Sequence, residues 1–274
     1  MKNRLILFSA IFLTAALGAC NWGNGNSGQI EADITTDTLT YINKTIKERA
    51  ADCGTRPDSA CTVASITYPV FISQAALNDS IRHRLIMLFG GNNPDVKPDT
   101  SLQLYAENFI KSYENDNPGQ RSTGMFYTLD IKATLTRQDS SLAALELGGY
   151  NYQGGAHGGS ITTFINWDTK AGKEITLNDV LVTGYKDSIT IIAERIFRQQ
   201  EKLTPTASLA NDYFFKDAKF ALNDNFAITP VGLKFLYNQY EIKPYAAGQT
   251  SLLIPYAQIK SLIKPNSVIT QYLK

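Results

Sequence analysis

The sequence predicts an α+β fold, an antiparallel β-structure with helices packed on it in blocks and two subdomains, and three observations predict it. Residues 148–167 hold six of the chain's 19 glycines, a density that marks backbone turning sharply or packing close to another segment. Tyr127, Leu129, Ile131, Ala133 and Leu135 alternate with polar residues before this stretch, and Ile161, Thr163, Ile165 and Trp167 do so after it, so it reads as the tip of an antiparallel β-structure. Leu102, Tyr105, Ala106, Phe109, Ile110 and Tyr113 fall on one face of a helix, and the helical patterns come in blocks between strand runs.

Residues 1–19 read as a signal peptide: Lys2 and Arg4 make a basic start, and residues 5–17 form an apolar run too short to span a bilayer. Leu17-Gly18-Ala19-Cys20 resembles a lipobox, so Cys20 is expected to carry the lipid. Residues 20–33 are then a polar Gly/Asn/Ser tether. Its Gly23, Gly25 and Gly28 have dinucleotide-motif spacing, but no strand precedes them and that reading fails. The body divides into an N-terminal subdomain, 34–120, and a C-terminal domain, 121–274. Residues 34–50 suggest a strand or strand pair, and 61–72 a strand in which Pro69 argues for an edge or an end. Asn78 or Asp79 is expected to cap a helix burying Ile81, Leu85 and Leu88 and stopping at Gly90-Gly91. After a Pro-containing loop and the 102–113 helix comes the antiparallel section 126–168. Ile189, Ile192, Ala193 and Ile196 then mark a helix, and residues 211–219 a second helical stretch. Phe226 and Ile228, a turn at 229–232, Leu233, Phe235, Tyr237 and 252–254 return to β before a short terminal helix.

Charge excludes some partners. The chain has 26 basic and 25 acidic residues, and removing residues 1–19 leaves 24 and 25. A nearly neutral body gives no electrostatic reason for nucleic acid or an anionic membrane surface. Cys53 and Cys61, with seven residues between them, most simply form a disulfide in an exported protein, which the chain-entropy model values at about 2.5 kcal/mol. With only two histidines no metal set is legible, and no cofactor is expected.

His157, in the glycine-rich tip, is the candidate for chemistry. It either bonds loop carbonyls and holds the tip in shape, or contacts a ligand, or acts as a general base. Ser160 does not pair with it if the segment is extended, because only residues i and i+2 share a side; Asp130, Glu146 or Asp168 would have to orient the ring. His83, between Arg82 and Arg84, lies on a polar helix face. Tyr150, Tyr152 and Trp167 flank the tip, where flat aromatics stack on sugars or anchor a protein, or else serve as half-buried core. The candidate binding set is Tyr150, Tyr152, Gly154, Gly155, His157, Gly158 and Trp167. No catalytic residue is assigned, with His157 as the alternative.

Three segments carry a family resemblance. Tyr152 to Gly158 reads Tyr-x-Gly-Gly-Ala-His-Gly. Residues 240–248 read Tyr-Glu-Ile-Lys-Pro-Tyr-Ala-Ala-Gly, followed by Leu253-Ile254-Pro255-Tyr256. Ile66-Thr67-Tyr68-Pro69-Val70 precedes Leu77-Asn78-Asp79-Ser80-Ile81. Together they resemble the extracellular domain pair of the lysozyme-responsive anti-sigma factor, which also precedes peptidoglycan deacetylase catalytic domains. The resemblance implies an outward-facing region that binds lysozyme in the one case and catalysis confined to a separate domain in the other. With a lipidated cysteine in place of a membrane-spanning helix, the chain is expected to be a binding lipoprotein of the cell envelope, in the outer membrane if the source is Gram-negative. Its expected partners are the membrane, through Cys20, and a lysozyme-like protein or a peptidoglycan-related glycan. The alternative is a cell-wall hydrolase using His157 and a carboxylate.

Overall fold

A computed structural model describes residues 39–90, 101–118 and 125–273. The expected signal peptide, the tether with Cys20 and the stretch 91–100 lie outside the described residues. Strand β1 (Tyr41–Arg49) runs antiparallel to β2 (Val63–Phe71), from Tyr41 opposite Phe71 to Arg49 opposite Val63. The Cys53–Cys61 disulfide closes the loop between them, with Cα atoms 5.4 Å apart. Pro69 lies beyond Thr67, the last β2 residue with a partner on its second side, where a strand proline is tolerated.

Helix α1 (Ala75–Gly90) starts at Ala75, so neither Asn78 nor Asp79 caps it. Asn78 instead clamps the end of β2: its amide oxygen accepts from Phe71 N–H and its amide nitrogen donates to Phe71 O, both at 2.8 Å. The expected stripe of Ile81, Leu85 and Leu88 is buried. Helix α2 (Leu102–Asp116) is capped by Ser101, whose Oγ accepts from Leu104 N–H at 3.0 Å, and its predicted face is the buried one, Tyr105 only partly.

Strands β3 (Thr128–Asp139), β4 (Leu142–Tyr152) and β5 (Gly159–Asp168) form an antiparallel meander, and β6 (Lys173–Glu174) pairs with the end of β5. The sheet order is β1-β2-β3-β4-β5-β6. Its one parallel pair, β2 with β3, is joined by the two helices, the length of connection a parallel pair requires. The sheet thus runs across the expected boundary at 120/121. Both helices pack on one face, over a row running Ile46, Ile66, Ile131, Gly149 and Ile161 from strand to strand. Position 149 is glycine because a β-carbon there would stand 2.8 Å from the Phe89 ring of α1.

The second core forms around a three-stranded antiparallel sheet of β7 (Phe226–Ile228), β8 (Gly232–Tyr237) and β9 (Thr250–Pro255). Helices α3 (Leu177–Val180), α4 (Tyr185–Gln200) and α5 (Tyr256–Ile259) contribute to it. Burial alone would raise the Asp179 carboxyl, but the Lys173 ammonium and the N–H and hydroxyl of Thr176 outweigh it and hold the group at about 2, closing the start of α3. Helix α4 buries Ile189 and Ala193 as expected, with Tyr185 and Phe197, while Ile192 and Ile196 are half-buried.

The helix expected over 211–219 is absent. The segment is irregular, with a 3-10 turn at Lys216–Ala218 in which Asp217 and Ala218 take φ of 54° and 53°. Tyr213, Phe215 and Phe220 all reach Phe197, at ring-centroid distances of 5.1, 5.6 and 5.2 Å. A helix cannot present residues two apart to one partner. Residues 142–145 are buried on both sides, because the start of β4 borders both cores. Tyr272 Oη donates to Asp139 Oδ2 at 2.6 Å and ties the last described turn to the β3–β4 hairpin. Among the described residues no helix is long and apolar enough to cross a membrane.

Candidate binding surface at the glycine-rich tip

The tip joins β4 to β5, and its glycines serve two purposes. Gly154 and Gly155 take φ of 89° and 88°, a region that penalises any side chain. Gly158 is buried for want of space: a β-carbon there would fall on the Tyr150 ring and 2.6 Å from Asn151 O. Tyr152 Oη donates to Gly155 O at 3.0 Å and braces the loop.

His157 is exposed. Its Nδ1 lies 2.9 Å from Gly158 O, a carbonyl that can only accept, so the proton sits on Nδ1 and Nε2 is left to accept from Tyr240 Oη, 3.4 Å away. The ring therefore meets one loop carbonyl and one phenol. It stacks on Tyr245, with centroids 4.0 Å apart and planes at 20°, and lies 6.3 Å from the Tyr240 ring. No carboxylate among the described residues bonds it. Asp168 accepts from Lys170 N–H and Ala171 N–H in the turn after β5, at the other end of that strand. Ser160 is held through its own N–H, which donates to Gln239.

Tyr240 is 56% exposed and takes φ 64° in a turn closed by Glu241 N–H to Asn238 O at 3.1 Å. For a residue with a side chain this left-handed conformation costs about 1–2 kcal/mol. The turn is fixed to β5 by amide side chains. Asn238 accepts from Thr162 N–H at 2.8 Å and donates to Thr162 O at 3.1 Å, and Gln249 bonds both Thr162 and Asn238. Further along β5, Asn166 Nδ2 donates to Phe226 O and its Oδ1 accepts from Ile228 N–H, both at 2.8 Å, as a paired strand would.

Of the expected binding set, Tyr150 (38% exposed), Tyr152, Gly154, Gly155, His157 and Gly158 lie together at the tip. Trp167 does not. It is 4% exposed in the first core, at the far end of β5, about 26 Å along the strand from Gly159. Tyr240 and Tyr245, within the 240–248 motif, stand against His157 instead. His83 is exposed on α1. No group of three or more potential metal ligands occurs among the described residues.

Residues 178–257 match the model of DUF3298, a family described as a protein of unknown function. The chain is 20% identical over 175 residues to the peptidoglycan-N-acetylmuramic acid deacetylase PdaC of Bacillus subtilis, a match covering 61% of this chain and 36% of the deacetylase. The chain thus spans about a third of that enzyme's length. It is 29% identical over 180 residues to the immunogenic proteins MPB64 of Mycobacterium bovis and MPT64 of Mycobacterium tuberculosis, over 62% of this chain and 75% of each relative. The crystal structure of a DUF3298 member from Bacteroides fragilis is similar with a TM-score of 0.67, at 26% identity, over 87% of this chain and 98% of that one. A DUF3298 protein from Pseudomonas aeruginosa shares the fold at a TM-score of 0.67 and 24% identity, over 84% and 97% of the two chains.

Proposed function

We propose that the chain is a lipid-anchored binding module of the cell envelope, held through Cys20, which recognises a protein such as a lysozyme or a peptidoglycan-related glycan and performs no catalysis of its own. The observation that carries this reading is Tyr240, an exposed aromatic side chain kept in a left-handed backbone conformation beside His157 and Tyr245. Within the fold an exposed, strained tyrosine gains only a long bond to His157 and the edge of the Tyr245 ring, whereas a contact surface uses its whole exposed face. A ring of this kind supplies rigid anchor area at little entropic cost. The peptidoglycan deacetylase among the relatives supports a cell-wall setting.

The test is capture of lysozymes and of peptidoglycan fragments by the purified chain. Tyr240→Ala is expected to weaken capture of a lysozyme by about 2 kcal/mol, roughly thirtyfold, with the melting temperature unchanged. Turnover of peptidoglycan or chitin oligomers that His157→Ala abolishes in a folded protein overturns the reading in favour of a hydrolase. For the anchor, Cys20→Ala is expected to leave the protein unprocessed or released, and a wild type found without lipid in the soluble fraction refutes that part.

A further inference from the structure

A cleft of about 570 Å³ opens where the C-terminal turns of α1 and α2 meet the end of β4, on the helix-covered side of the sheet. This is a volume typical of sites that hold small ligands. Phe89 and Tyr105 line it with aromatic surface, and four carboxamides converge on it: Asn108 and Asn115 from α2, Asn151 from the last turn of β4's pairing with β3, and Gln153 just beyond. Its charged lining residues include one of each sign, Lys111 and Asp116, and Asp116 already accepts from Tyr127 Oη at 2.9 Å. Burial pushes the Tyr105 phenol up to about 12, so it remains a neutral hydroxyl. The Asn151 carbonyl oxygen is shielded from water and has no hydrogen-bond partner. Such an orphan costs about 1–3 kcal/mol, a loss that a donor arriving in the cleft removes once the amide turns to meet it.

We propose that this cleft is a binding site for an uncharged oligosaccharide bearing acetamido groups. Each carboxamide both donates and accepts, which matches the paired hydroxyl and acetamido groups of such a sugar, and the aromatic rings match the apolar face of a pyranose. The balanced charge of the lining gives no purchase to a phosphate or a polyanion. The site is separate from the contact surface around Tyr240, and either stands if the other fails.

Calorimetric titration of the purified chain with triacetylchitotriose, and with maltotriose as an uncharged sugar lacking acetamido groups, tests it. Saturable binding of triacetylchitotriose is expected, at least tenfold tighter than maltotriose. Asn108 and Gln153 are both exposed, so the double variant Asn108→Ala/Gln153→Ala is expected to melt as the wild type does while losing at least tenfold in affinity. Tyr240→Ala is expected to bind the sugar unchanged. The proposal is overturned if the wild type shows no saturable binding, if maltotriose binds equally well, or if the double variant keeps its affinity. It is equally overturned if Tyr240→Ala alone abolishes binding, which would place the sugar at the tip.

Discussion

The core under α1 and α2 is chiefly aliphatic, with Ile66, Leu77, Ile81, Leu85, Leu129 and Ile131 fully buried between regular elements, whereas the core around Phe197 is built on the rings of Tyr213, Phe215, Phe220 and Tyr237. In the first, helix and strand periodicity brings most of the side chains together, with the Cys53–Cys61 disulfide closing one end. In the second, the chain from α4 to β7 has little regular structure, and side-chain bonds hold it: Arg198 donates to Ala207 O at 2.8 Å, and Glu201 accepts from Tyr213 Oη at 3.0 Å and Lys243 Nζ at 2.9 Å. Burial, and then the Glu201 carboxylate, push the Tyr213 phenol up to about 12, so that hydrogen bond persists throughout the physiological range. A core can therefore dispense with secondary structure where large rings and charged anchors fix the direction of each residue.

The largest expected effect tests that contrast directly. Phe197→Ala, which removes the ring that three others touch, is expected to cost about 4 kcal/mol in urea unfolding, against about 3 kcal/mol for Ile81→Ala in the aliphatic core. Equal losses would erase the distinction. Next is the seam between the two sheets, where Asn166→Ala leaves Phe226 O and Ile228 N–H buried without partners; we expect about 2–3 kcal/mol. A loss under 0.5 kcal/mol, by the same measure of a lost hydrogen bond, would mean that packing and not the amide joins the halves. At the tip, Gly158→Val and Gly155→Val should each cost about 1–2 kcal/mol, the first by collision and the second by backbone strain, while His157→Ala costs under about 1 kcal/mol. Indistinguishable melting temperatures for all three variants would show that neither glycine is required.

The last expected effect is one of pH. The folded Asp179 carboxyl, at about 2, lies below its ordinary 3.8, so its contribution is fully present above 3.8 and is lost as pH falls towards 2. Its partner Lys173 is 56% exposed, and solvent screening reduces the expected contribution to about 1 kcal/mol. Asp179→Asn is expected to flatten the melting temperature over that window. An unchanged slope would remove the capping carboxylate from the acid response.

The contrast between the cores also marks what the sequence disclosed. The faces of α1 and α2, an antiparallel section over 126–168 and the disulfide are legible, because periodicity and spacing are local signals, whereas β4, the strand between the two alternating runs, is not marked out by either. The helix expected over 211–219 falls in a segment rich in aromatics whose spacing is not helical. The spacing of two between Tyr213 and Phe215 was the sign that they enter one core from an extended chain. An asparagine serves a strand end or a helix start equally well, and Asn78 serves the strand end. Trp167 is near the tip in sequence, yet a strand of ten residues sets its two ends roughly 30 Å apart. Tyr240 joins His157 across 83 positions, a pairing that arises only when the second sheet docks on β5. The strain at Tyr240 is a backbone property with no local signature in a Tyr-Glu-Ile run.

The amide side chains along β5 also determine how the molecule carries force. Tension applied at Tyr240 loads the 238–241 turn, whose Asn238 grips both the N–H and the carbonyl of Thr162. The load thus passes sideways into β5 and from there is shared along its ten-residue pairing with β4. Hydrogen bonds stretched along a strand resist together, whereas bonds peeled from an end yield one at a time. The turn that carries Tyr240 is therefore braced against the flank of the larger sheet, where at Thr162 β5 has β4 on one side and amide side chains on the other.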